Sequence, residues 1–191
     1  MYYNIDMSNT IKRLAILGST GSIGQQTLEV VRALPHRFRV VGLAASKNTA
    51  LLSKQINEFK PSFVYYADKG IKTQLANDDY ELLSLEDIAC HPQIDIVIIA
   101  TSGKSGLSPT LAAVKAGKTI ALANKESLVM AGEIIIREAK LNKAQILPID
   151  SEHSAIWQCL QGENQAAAQL ILTASGGPFL GYSLTQLEGV T

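Results

Sequence analysis

Seven short apolar runs, separated by stretches of helical period or by turns, constrain this chain more than any other feature. They are IKRLAIL (11–17), FRVVGLA (38–44), SFVYY (62–66), IDIVIIA (94–100), KTIALA (118–123), QILPI (145–149) and QLILTA (169–174). Runs of this length, rich in β-branched residues, read as strands. IDIVIIA is apolar at nearly every position, as a strand covered on both faces should be. Between the runs, Ile23, Thr27, Val30 and Leu34 recur at helical spacing before Pro35 stops the helix, and Leu128, Gly132, Ile135 and Ala139 mark another helical face. Alternating strands and helices predict an α/β fold built on a doubly wound parallel sheet. The stretch 67–92 is the least regular and is expected to hold a short helix and an irregular connection.

Bulk properties narrow the function. The 191 residues are 47% hydrophobic and 18% charged, the balance of a soluble globular chain with a sizeable core. Net charge is zero, which argues against a nucleic-acid partner. No segment reaches the roughly 18–20 apolar residues needed to span a bilayer. The start, MYYNIDMSNT, has neither a basic nor an apolar signal region. Cys90 and Cys159 lie far apart without metal-ligand spacing and read as reduced, buried thiols of a cytoplasmic protein. His36 and His91 flank prolines and read as exposed; Trp157 reads as core.

The first strand runs into Gly18-Ser19-Thr20-Gly21-Ser22-Ile23-Gly24 and then into a helix, the setting a dinucleotide loop requires. Glycines permit the tight turn and the close approach of a pyrophosphate, and the N–H groups at the helix start face it. Thr20 and Ser22 add hydroxyls. The bland alternative is a glycine-rich turn with no ligand. The second strand ends in Ala45-Ser46-Lys47-Asn48, with no acid for the ribose hydroxyls of NADH. Lys47 with Ser46 and Asn48 suits a 2′-phosphate, which predicts NADPH; the alternative is a helix cap beside a solvated lysine. Residues 1–150 are therefore expected to form an NADPH-binding Rossmann-type domain. Residues 151–191 are expected to begin a second, catalytic and metal-binding α+β domain, too short for its own core.

Three further segments end strands, where ligands of parallel sheets bind. In Asn124-Lys125-Glu126-Ser127, Asn124 and Glu126 suit a helix start, but Lys125 opposes the helix dipole and so points to an anionic or oxygen-rich substrate. In Asp150-Ser151-Glu152, an extended backbone would place both carboxylates on one side, where Mg²⁺ or Mn²⁺ would neutralise them. A helix start capped by Asp150 is the competing reading. In Thr173-Ala174-Ser175-Gly176-Gly177, small residues could cradle a phosphate with the Ser175 hydroxyl, or simply form a turn.

Taken together, LAILGSTGSIGQQTLEVV, ALANKESLV, LPIDSEHSAIWQCL and LTASGGPF resemble the 1-deoxy-D-xylulose 5-phosphate reductoisomerases, over about Ile11 to Phe179. The resemblance implies an NADPH- and divalent-metal-dependent enzyme of non-mevalonate isoprenoid biosynthesis. Such an enzyme converts the sugar phosphate to 2-C-methyl-D-erythritol 4-phosphate. It implies Gly18, Thr20, Gly21, Ser22 and Ile23 at the cofactor pyrophosphate, Ser46, Lys47 and Asn48 at its 2′-phosphate, and Asn124 and Glu126 on the cofactor. It implies Lys125, Ser151, Glu152 and Ser175 on substrate and Asp150 and Glu152 on the metal, with Lys125, Asp150 and Glu152 catalytic. Ser46 stands where many members have glycine, and Lys104 where they usually have a small residue. Members continue into further metal and phosphate ligands, a mobile loop and a helical domain, and full-length members are expected to be homodimers. The chain therefore reads as an N-terminal fragment that binds NADPH with little or no turnover. Another NADPH-dependent oxidoreductase, or a non-enzymatic NADPH-binding module, are the alternatives.

Overall fold

The computed structural model describes residues 10–67, 79–163, 167–171 and 179–190. Seven strands form one sheet: β1 (Lys12–Leu17), β2 (Phe38–Ala45), β3 (Phe63–Tyr66), β4 (Glu81–Leu82), β5 (Ile96–Ile99), β6 (Thr119–Leu122) and β7 (Gln145–Pro148). All pairings are parallel, in the order β4-β3-β2-β1-β5-β6-β7. The chain runs outward from β1 to β4, returns to lay β5 beside β1, then runs outward the other way. The α/β doubly wound expectation is met, and the order reverses between β1 and β5.

Helices cover both faces: α1 (Ser22–Ala33), α2 (Thr49–Phe59), α3 (Leu85–Cys90), α4 (Leu107–Lys115) and α5 (Lys125–Asn142). Alternate side chains of each strand feed two cores. Leu14 and Ile16 of β1 pack with Leu28 and Val31 of α1 and Leu52 and Ile56 of α2. Ala15 and Leu17 pack on the opposite face with Ile88 of α3, Val114 of α4 and Ile135 of α5. Burying a side chain such as Leu28 stabilises the fold by roughly 2 kcal/mol. At the N-terminal edge of the sheet, Arg13 Nη2 and Nε grip Asp95 at 2.7 and 3.0 Å, and the Arg13 N–H donates to the same carboxylate at 2.8 Å. Chain reversals after α2 and α5 use left-handed lysines, Lys60 (φ 47°) and Lys143 (φ 55°), whose N–H groups close on Ile56 and Ala139.

Several expectations need correction. The buried face of α1 is Gly24, Leu28 and Val31, while Val30 is half exposed. A glycine adds nothing to an apolar pattern, yet its contact with the preceding loop selects that face. Cys90 and Cys159 are both exposed, each the last residue of its helix, α3 and α6 (Ser151–Cys159). Trp157 is only partly buried, because α6 leans on β7 by one side and buries none of its side chains. Of the strand expected at 169–174, residues 169–171 are described; they lie outside the sheet, with Leu170 and Ile171 exposed. His91 is half-buried against Phe63, ring centroids 4.0 Å apart. The irregular stretch holds α3, as expected, and the two-residue strand β4, which no pattern announced. A last short helix, α7 (Leu184–Leu187), is closed by a capping box at Ser183.

Candidate active site

Register places the ends of four neighbouring strands in one row. Leu17 of β1 pairs with Ile99 of β5, Ile99 with Leu122 of β6, and Leu122 with Pro148 of β7. The segments that follow are the glycine loop, Ala100-Thr101-Ser102, Asn124-Lys125 and Asp150. All therefore emerge side by side along the C-terminal edge, at and next to the reversal of strand order.

The glycine loop is built by close approach. Gly18 has φ +97°, and a Cβ there would lie 2.5 Å from the Ala100 carbonyl oxygen. A Cβ on Gly24 would lie 2.3 Å from the Gly18 carbonyl oxygen, so α1 can sit on the loop only as glycine. The N–H groups of Gly18 and Ser19 both donate to the Ala44 carbonyl at 2.9 Å, tying the loop to β2. Gly21, the N-cap of α1, has no side chain with which to cap it. The first-turn N–H groups and the positive end of a 12-residue helix thus face the strand edge without a capping side chain.

A cleft of about 380 Å³ opens over this loop, lined by Gly18, Thr20 and Gly21, by Ser46, Lys47 and Asn48, and by Thr101, Ser102 and Ser105, with Tyr65 and Leu85 among its apolar walls. Ser22 and Ile23 stand at the start of α1, outside that lining. Asn48 accepts from the Leu51 N–H at 3.1 Å and caps α2, as its ordinary reading required. Lys47 is exposed and forms no ion pair among the described residues. The Thr101 hydroxyl is buried without a hydrogen-bond partner among the described residues. An orphaned hydroxyl, an uncapped helix and glycines that admit no Cβ fit a phosphate-bearing ligand in this cleft.

Asn124 joins the cleft to the next strand end. It is buried, caps α5 through Ser127, and donates to the Thr101 and Gly103 carbonyls at 2.8 and 2.9 Å. Its amide is thus fully engaged inside the protein. Gly106 lets it fit, since a Cβ there would lie 2.4 Å from the amide carbon. Glu126 is exposed in the first turn of α5.

Lys125 turns towards Asp150, donating from Nζ to Oδ2 at 3.0 Å. The hydrogen bond from Lys125, with help from Glu152, holds the Asp150 carboxyl below the usual carboxylate range, and Asp150 in turn raises the ammonium. Asp150 is the N-cap of α6, with Ser151 and Glu152 in its first turn, so the fully extended Asp150-Ser151-Glu152 is corrected to a helix start. Yet the Asp150 side chain does not cap its helix and remains directed at Lys125. His153 Nδ1 stands 3.8 Å from Asp150 Oδ1. No cluster of three or more His, Cys, Asp or Glu forms among the described residues. Asp150 and Glu152, at the N-cap and in the first turn of one helix, are nonetheless two hard oxygen donors that fit part of a Mg²⁺ or Mn²⁺ shell. Beside them lies an apolar cavity of about 370 Å³, walled by Leu128, Ile146, Ile156 and Trp157. Ser175 lies outside the described residues. Ser19, Gln55 and Thr101 were missed by the sequence reading; only the position of Thr101 just after the central strand could have flagged it.

Comparison with known proteins agrees with this geometry. A family profile described as 1-deoxy-D-xylulose 5-phosphate reductoisomerase matches residues 14–132, and one described as its C-terminal domain matches residues 146–191. Relatives of that name are 47% identical in Pelotomaculum thermopropionicum and 50% identical in Caldanaerobacter subterraneus, each match covering 95% of this chain and 49% of the relative. The chain thus spans about half the length of the curated relatives it matches. A solved DOX-P reductoisomerase in complex with magnesium superposes with a TM-score of 0.83 at 43% identity, covering 93% of this chain and 50% of that one. The enzyme from Zymomonas mobilis in complex with NADPH also gives 0.83, at 36% identity over 97% of this chain and 51% of that one. By fold, by strand-edge geometry and by these matches, the chain belongs to the 1-deoxy-D-xylulose 5-phosphate reductoisomerase family.

Proposed function

We propose that this chain carries the NADPH-binding unit and two metal-binding carboxylates of a 1-deoxy-D-xylulose 5-phosphate reductoisomerase. One observation supports the reading most: the strand-end row that sets the glycine cleft, Asn124, and the Lys125–Asp150 pair next to one another. In this reading residues 1–150 form the cofactor domain, and 151–191 begin the catalytic and metal-binding one.

Each residue has a physical task. The first-turn N–H groups of α1, with Thr20 and Ser22, hold the pyrophosphate; Gly18, Gly21 and Ile23 shape its seat. Lys47, with Ser46 and Asn48, neutralises the 2′-phosphate. Asn124 fixes the 101–103 loop along the cofactor, and Glu126 flanks the same helix start. Asp150 and Glu152 supply oxygens to a divalent cation. Lys125 and Ser151 hold substrate oxygens, and Ser175 its phosphate. When bound, NADPH supplies the hydride and the cation supplies charge stabilisation for the carbon-skeleton rearrangement.

Two carboxylates fill little of a six-oxygen shell, so the 191 residues assayed alone are expected to bind NADPH and turn over little. The test is NADPH consumption with 1-deoxy-D-xylulose 5-phosphate and Mn²⁺, by the chain alone and by the chain joined to the C-terminal half of a relative. Turnover in the joined protein that vanishes with Asp150→Ala supports the reading. A joined, folded protein that binds NADPH but consumes none contradicts it.

A further inference from the structure

We propose that Gln55 is a positioning residue for the cofactor, locking the pyrophosphate loop to the helix that presents the 2′-phosphate end of the cleft. The proposal rests on the NADPH reading above. Ser19 is completely buried and Gln55 nearly so. The Ser19 hydroxyl donates to Gln55 Oε1 at 2.7 Å, and Gln55 Nε2 donates back to the Ser19 carbonyl at 2.9 Å. The Ser19 N–H is held by the Ala44 carbonyl at 2.9 Å. Every polar group of Ser19 is therefore fixed by β2 or by α2. A reciprocal pair of this kind defines both the distance and the orientation of its two elements, which an apolar contact does not.

The two elements so joined carry different parts of one ligand. Ser19 lies inside the glycine loop, between Gly18 and Thr20 on the cleft wall. Gln55 lies about two turns into α2, whose N-cap is Asn48 and which follows directly on Ser46 and Lys47. A dinucleotide must meet both ends at once. Once one end is bound, the affinity gained at the other depends on how well the spacing between them is held. Gln55 sets that spacing without entering the cleft, since it is not among the lining residues.

The test compares Gln55→Met, Ser19→Ala and the double variant by titration with NADPH and with adenosine 2′-monophosphate, which lacks the 5′-phosphate and so engages the 2′-phosphate end alone. Thermal unfolding establishes that each variant is folded at the titration temperature. Gln55→Met is expected to weaken NADPH about tenfold while leaving the monophosphate nearly unchanged. Adding Ser19→Ala to it should cost little more, because the two groups act as one unit. If Gln55→Met does not fold, Ser19→Ala, which removes one of the two bonds, carries the same contrast. Unchanged NADPH affinity in a folded variant overturns the proposal, and so does an equal loss for both ligands, which would mean that α2 itself is disturbed. Failure of the unsubstituted chain to bind either ligand would overturn the cofactor reading and this proposal with it.

Discussion

Lys125 Nζ donates to Asp150 Oδ2 at 3.0 Å, joining the start of α5 to the start of α6 across the ends of β6 and β7. The ammonium opposes the dipole of its own helix, and the carboxylate leaves its own helix uncapped. Each gives up a local preference for the other. In the function proposed above the same carboxylate is one of two offered to a divalent cation, so the ammonium and the cation would compete for it.

Replacing Lys125 by Met should therefore tighten Mn²⁺ binding by about three- to fivefold, a modest change because the pair is exposed and screened. Mn²⁺ titration followed by electron paramagnetic resonance checks this. Weaker binding in the variant would show that Lys125 supports the site rather than competing for it.

Asn124→Ala should destabilise the fold by about 2–4 kcal/mol. It strips the N-cap of α5 and leaves the Thr101 and Gly103 carbonyls without their donor. Denaturant unfolding measures the loss. NADPH affinity should fall as well, since Thr101 and Ser102 of the loop it holds line the cleft.

Lys47→Ala should leave NADH binding nearly unchanged and weaken NADPH by about tenfold, the loss of one charge-assisted contact to a phosphate. Parallel titrations of the two cofactors give the ratio. A variant keeping its full preference for NADPH would move the 2′-phosphate to other partners.

The Arg13–Asp95 clasp sets an acid limit. Hydrogen bonds from Arg13 hold the Asp95 carboxyl below its ordinary value. A depressed carboxyl contributes stability fully above the unfolded pKa, about 3.9 for Asp. That contribution disappears as pH falls through the lower folded value. Asp95→Asn should lower the thermal midpoint at neutral pH and flatten its fall below about pH 4. Melting curves across this range report both effects.

Much of this was legible in the chain. IKRLAIL, FRVVGLA, IDIVIIA, KTIALA and QILPI became β1, β2, β5, β6 and β7, because buried parallel strands need unbroken apolar runs. Gly18 and Gly24 were legible as a loop motif, and the structure supplies the clashes that require them. Lys125 and Asp150 were each singled out, but their pairing was not, since nothing local relates residues on different strand ends. Ser19 and Gln55 were invisible for the same reason: a reciprocal hydrogen bond between a loop and a helix leaves no periodic trace. The face of α1 was misread because Gly24, its tightest contact, has no side chain to count. The burial expected of Trp157 and Cys159 failed because α6 packs by one side only.

The most direct test is a titration of the 191-residue chain with NADPH, followed by nicotinamide fluorescence, beside NADH and beside Gly18→Ala. Saturable binding of NADPH is expected, tighter than NADH, and abolished by a Cβ at Gly18 that would lie 2.5 Å from the Ala100 oxygen. No saturable binding by the folded chain, or binding untouched by Gly18→Ala, would contradict it.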